Sequence, residues 1–169
     1  CPIEQGSADL LRWDLGPEIR KAILSPIVDI GEDNLRSREF RRMCDALAKT
    51  LGRGSRARSA FAAALAEQER FDRACHDIGR QALDFCRREG VTPVVVLGRV
   101  YTIYNTVLNS NVPAILRDQG ALPIPVDCYP VAPDVPVFRT VFWGHSQRTL
   151  RAAHQIRRSP GVYSIFCSK

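Results

Sequence analysis

The chain has 169 residues, 45% of them hydrophobic and 25% charged, and its net charge of +6 comes mostly from arginine. That is the size and composition of one compact domain with a core of its own. No apolar run approaches the eighteen or so residues of a membrane helix, and the basic excess is not accompanied by a nucleic-acid motif or an aromatic-interleaved basic stripe.

The charge leaves two readings open: a solvated basic surface, or attraction for phosphorylated ligands or an acidic partner. No signal peptide is visible and Cys1 stands in place of an initiator Met, so the chain reads as a piece of a longer protein.

Residues 1–16, "CPIEQGSADLLRWDLG", read as a loop-like start with a short apolar patch at Leu10, Leu11 and Trp13. "KAILSPIVDIGED" (21–33) reads as an edge or irregular strand, because Pro26 lies inside its apolar run. Over 34–51, Phe40, Met43, Cys44, Leu47 and Leu51 recur at helical spacing. A longer helix follows at about 55–89, with Ser55 as its N-cap and a stripe of Phe61, Leu65, Gln68, Cys75, Ile78, Ala82 and Phe85, and Gly90 closes it.

The pattern changes at residue 91. "TPVVVLG" (92–98) is a β-branched run closed by glycine, as expected of a strand covered on both faces. "NTVLNSNVPAILRDQG" (105–120) predicts a helix that starts late, with Pro113 in its first turn. "ALPIPVD" (121–127) is a second strand, and a proline-rich loop over 129–136 leads to a mostly helical stretch at 138–161. "VYSIF" (162–166) is a third strand. Strands alternating with helices on short links predict right-handed crossovers and a parallel sheet. The fold class is therefore α/β: a single domain over 1–169 with a three-layer, Rossmann-like core and a helical insertion at about 34–90.

The six cysteines, at 1, 44, 75, 86, 128 and 167, form no CxxC pair, which argues against a zinc ribbon or a thioredoxin motif. A chain with this much core is not a disulfide scaffold, and a reducing, cytoplasmic compartment is expected. Cys44 and Cys75 fall on helical stripes and Cys86 beside one, so these three read as packing residues. Cys128 and Cys167 each follow the last apolar residue of a strand, which places both on the carboxyl edge of the sheet near Gly98. Thiols gathered there would suit zinc or an iron–sulfur cluster; unrelated buried thiols are the plain alternative.

Other candidates carry less. His76, His145 and His154 fall within predicted helices, where surface or core is the usual fate. Asn105, Asn109 and Asn111 either cap a helix or point amides into a site. No phosphate loop, HExxH or GxSxG motif is present.

The stretch "VVVLGRVYTIYNTVLNSNVPAILRDQGALPIPVDCYP" resembles the dehydratase-like module of 2-hydroxyacyl-CoA dehydratase activators, the CoA-substrate-specific enzyme activase family. That family is related to the 2-hydroxyglutaryl-CoA dehydratase and benzoyl-CoA reductase subunits. The matching positions are Leu97, Gly98, Arg99, Tyr101, Asn109, Asn111, Pro113, Leu116, Gly120, Pro125 and Asp127, with Val100 where the family usually has proline. "CPIEQG", "GHSQRTLRAAHQIRR" and "VYSIFCS" resemble its opening and later parts.

The resemblance implies a [4Fe–4S] cluster serving electron transfer in CoA-thioester chemistry, with Cys1, Cys128 and Cys167 as the matching cysteines. It implies Gly98, Arg99, Tyr101 and Asn109 as residues lining the same edge, and an ATP-hydrolysing activase domain or a dehydratase subunit as partner. Two other functions compete with it: a non-redox domain binding a CoA-type or phosphorylated ligand, and a docking module for the ATPase part.

Overall fold

The computed structural model describes residues 2–21, 23–26, 28, 34–141 and 143–168. The chain divides into two compact units, residues 1–65 and 66–169.

The first unit is helical. Helices α1 (Pro2–Asp14) and α2 (Pro17–Arg20) come first, then a 3-10 turn at Asn34–Arg36 and α3 (Arg38–Thr50). The loop expected over 1–16 is thus mostly helix. The run has no internal proline, Leu10 and Leu11 are good helix formers, and Arg12 pairs with Asp9 at 2.9 Å across one turn. The apolar patch expected there is solvent-exposed at Leu10, Leu11 and Trp13. The strand expected over 21–33 is absent from its described residues: Lys21 is in a turn, and 23–26 and 28 are irregular. Pro26 removes a ladder donor.

Helix α3 begins where Ser37 accepts a hydrogen bond from the backbone N–H of Phe40 at 3.0 Å. Across from α3, the Phe40 and Phe61 rings pack with centroids 5.9 Å apart.

The long helix α4 (Ala57–Glu89) has 33 residues, about 50 Å of rise, and runs through the division between the units. Ser55 is not its cap, because Gly54–Arg56 form a 3-10 turn ahead of it. Its inward face also differs from the expected stripe. Gly79 and Cys86 are buried, whereas Ile78 and Phe85 are exposed. The hydrophobic count favoured the large residues, but a close helix approach selects small ones.

The second unit contains the sheet. Strands β1 (Thr92–Gly98), β2 (Ala121–Pro125) and β3 (Tyr163–Cys167) run parallel in the order β2-β1-β3. The chain is an α/β fold, as its alternation predicts. Val95 pairs with Ile124 on one side and Ser164 on the other. Central β1 is buried from Pro93 to Gly98, which accounts for its unbroken apolar run. Strand β2 tolerates Pro123 and Pro125 because it is an edge strand.

Between β1 and β2 lie α5 (Val100–Ile103) and α6 (Val112–Asp118), and α7 (Gly144–Ile156) precedes β3. The β1-to-β2 and β2-to-β3 crossings run in opposite directions across the sheet. The core joins Val95, Val96, Leu97, Ile103, Val126 and Tyr129 to Ala152 and Ile156 of α7. Among the described residues, no helix is long and apolar enough to cross a membrane.

Candidate functional site

In a parallel sheet, loops that bind ligands gather at the carboxyl ends of the strands. Here that edge is tightly built. Strand β1 ends at Gly98 with φ +149°, and a Cβ there would lie 2.5 Å from the Cys167 carbonyl oxygen and 3.0 Å from Ile103 Cγ2. Only glycine satisfies both the backbone angle and the space. Cys167 pairs with Gly98 across the ladder. The Gly98 carbonyl accepts a hydrogen bond from His145 Nε2 of α7. A carbonyl has no proton to give, so Nε2 carries the imidazole hydrogen.

After β2 the chain continues one residue further in the ladder, with Val126 N–H donating to the Val96 carbonyl at 3.1 Å. It then turns, and the N–H groups of Cys128 and Tyr129 both donate to the Pro125 carbonyl. Asp127 in this turn is buried and takes a hydrogen bond from Arg148 Nη1 of α7 at 3.0 Å. The guanidinium thus partners a carboxylate that would otherwise be desolvated without compensation.

Helix α7 holds the following loop with polar residues spaced four apart. Gln147 bonds the backbone of Phe138 and Val141, Arg151 donates to the carbonyls of Ala132 and Val135, and Gln155 bonds Ala132, Pro130 and the Tyr129 hydroxyl. One face of one helix thereby fixes the proline-rich segment beside the site.

Helix α4 reaches the same turn. A Cβ at Gly79 would overlap the Cys128 carbonyl group, so the helix backbone lies directly against the turn. Cys75 is one helical turn earlier on that face, and its thiol lies close enough to the Cys128 thiol to raise it. The Tyr104 hydroxyl also interacts with Cys128. Burial, then the neighbouring Cys75 thiol, pushes the Cys128 thiol above its ordinary range. Burial, with Asp127 and Cys128 nearby, pushes the Tyr104 phenol far up as well. The Cys128 thiol and the Tyr104 phenol are therefore both neutral near pH 7.

The residues singled out in the sequence fall as follows. Cys128, in the turn after β2, and Cys167, at the end of β3, are both buried at the carboxyl edge. Burial alone raises the Cys167 thiol, with no second thiol contributing. Cys1 lies outside the described residues. Arg99 and Tyr101 are exposed and pair with each other, the guanidinium donating to the phenol oxygen at 2.7 Å and lying 5.8 Å from the ring centroid. Asn109 is buried; its Nδ2 donates to the Ile103 carbonyl at 2.9 Å, and its Oδ1 has no partner. Asn105 accepts from the N–H groups of Val107 and Leu108, an Asx-type turn, while Asn111 adopts a left-handed conformation ahead of α6.

Among the described residues, no three His, Cys, Asp or Glu side chains gather as a metal-holding group. The sequence reading missed Cys75, Tyr104, His145 and Arg148 as residues of this edge. For Cys75 a signal was present: a cysteine and a glycine four apart, facing the strand ends, mark a close helix approach.

Neither the curated proteins nor the solved structures contain a match to this chain. A family model described as the CoA enzyme activase uncharacterised domain matches residues 1–129. That span takes in α1 through the turn bearing Cys128, more than half of the chain, and so the chain belongs to the CoA enzyme activase uncharacterised domain family.

Proposed function

We propose that this CoA enzyme activase-related domain is the iron–sulfur, electron-transferring part of an acyl-CoA dehydratase system, with Cys128 as a cluster ligand and Cys1 and Cys167 as further ones. One observation carries the reading: within the matched span, Cys128 is a buried thiol at the carboxyl edge of a parallel sheet, next to a second thiol. When bound, a [4Fe–4S] cluster supplies a one-electron carrier and ordinarily takes four thiolates. The donor chemistry fits such a group, but the described residues bring together only part of the donor set. Cys1 and a cysteine of a partner would complete it.

The partner class is an ATP-hydrolysing activase domain or a dehydratase subunit, in a reducing, cytoplasmic compartment. The test is iron and acid-labile sulfide content, with a visible spectrum, on protein purified without oxygen. Stoichiometric iron that disappears in Cys128→Ser is the expected result. Iron-free protein with an intact fold overturns the reading.

A second reading has its own observation. Arg99 and Tyr101 are solvent-facing at the end of the central strand, where a guanidinium hydrogen-bonded to a phenol offers an anionic ligand a positive contact. A CoA-type or phosphorylated ligand would bind there without any cluster. Calorimetric titration with coenzyme A, on wild type and Arg99→Ala, separates the two readings.

A further inference from the structure

We propose that Cys75 and Cys128 are a redox-active thiol pair that closes into a disulfide between α4 and the turn after β2. Three observations place them together. The backbone of α4 lies directly against the Cys128 carbonyl at Gly79, where any side chain would overlap it. Cys75 is four residues before Gly79 and shares its helix face. The two thiols lie close enough to interact, and both cysteines are free. Disulfide closure needs Cα atoms within about 7 Å and side chains directed at each other. The contact at Gly79 brings the face of α4 that carries Cys75 against the turn that carries Cys128.

The pair is also asymmetric. Cys75 is half-buried and Cys128 is buried. An incoming oxidant therefore meets Cys75 first, and Cys128 waits behind it as the resolving thiol. The oxidant class is a low-molecular-weight disulfide. The Cys75 sulfur bonds to one half of it, and the other half leaves as a thiol carrying the Cys75 proton. The Cys128 sulfur then attacks the Cys75 sulfur of this mixed disulfide. The Cys75–Cys128 bond forms, and the second half leaves as a thiol carrying the Cys128 proton. Two electrons and two protons pass from the protein to the small disulfide.

This chemistry needs no cluster. Where the cluster reading also holds, the bridge withdraws Cys128 from ligation, so the two states exclude each other.

The experiment uses iron-free protein incubated with oxidised glutathione, then alkylated and digested for peptide mapping by mass spectrometry. The expected result is a linked peptide joining Cys75 to Cys128 and the loss of two alkylatable thiols, reversed by a dithiol reductant. Cys75→Ser should abolish that linkage, and Cys44→Ser should retain it. Wild-type protein in which Cys75 and Cys128 stay alkylatable, or in which bridges join other cysteines, overturns the proposal; this map decides even if Cys75→Ser fails to fold. Iron content is measured on separately purified anaerobic protein, so this proposal and the cluster reading can each fail alone.

Discussion

In residues 66–169 the parallel sheet buries Val95 and Val126 completely and Ile124 almost so, whereas among the described residues of 1–65 only Ser37 is buried. Both regions contain amphipathic helices with similar mixtures of arginine and aliphatic residues. The difference lies in what each helix can pack against. A helix satisfies its own backbone hydrogen bonds and so forms from local preference, but its apolar face gains little until a second surface covers it. Strand β1 is such a surface, covered on both faces. Nothing comparable is present in the described part of the first unit, where Leu10, Leu11, Trp13, Ile19 and Leu51 are exposed.

This contrast can be broken or sharpened by substitution, with hydrogen exchange followed by mass spectrometry reading each unit separately. The largest effect is expected for Ile124→Ala, which empties a site 2% exposed in the sheet and should cost about 3–4 kcal/mol in denaturant melts. A loss below about 1 kcal/mol would show that the second unit is no better packed than the first.

Gly79→Ala should follow at about 3 kcal/mol, because the added methyl overlaps the Cys128 carbonyl and forces α4 away from the turn. A neutral result would remove the close approach on which the site geometry stands. In the first unit, Ser37→Ala should cost about 1 kcal/mol through loss of the α3 cap, with faster exchange confined to α3. Spread of that change into β1 would mean that the units unfold together.

Gly6→Ala should have a smaller effect and opposite sign. Gly6 lies inside α1 with open space around its Cα, so alanine should stabilise α1 by about 0.5–1 kcal/mol.

The shallowest test is alkaline pH. Burial raises the thiols of Cys86, Cys128 and Cys167 in the second unit, and of Cys44 in the first. Their neutral forms are favoured by folding. The stability this contributes is fully present below the ordinary thiol value near 9 and declines as pH rises past it, because the unfolded thiols ionise first. Melting temperature should fall gradually as pH rises above about 9. A flat profile would mean that these thiols are as solvated in the fold as in the unfolded chain.

The sheet was legible because a doubly covered parallel strand needs a continuous apolar run, and "TPVVVLG" has no other good use. Helix α3 was legible from periodicity, although Ser37 as its cap was not singled out. The placement of Cys128 and Cys167 at the carboxyl edge followed from their positions just after apolar runs. The failures share a cause. Residues 2–14 form helix, and 21–33 form no strand in their described part, because a short apolar segment fits either state until a partner surface chooses. The α4 stripe was weighted toward Ile78 and Phe85, when the inward face was chosen by smallness at Gly79 and Cys86.

Sequence alone therefore determined the α/β class, the three strands, the family resemblance and the edge on which Cys128 and Cys167 lie. These follow from local rules: strand grammar, turn residues and right-handed crossovers act along the chain. Tertiary structure decided which thiols meet. Cys75 and Cys128 are 53 positions apart, and no local preference encodes their encounter. It arises because Gly79 lets the backbone of α4 lie against the turn after β2, and that approach is a property of two packed surfaces.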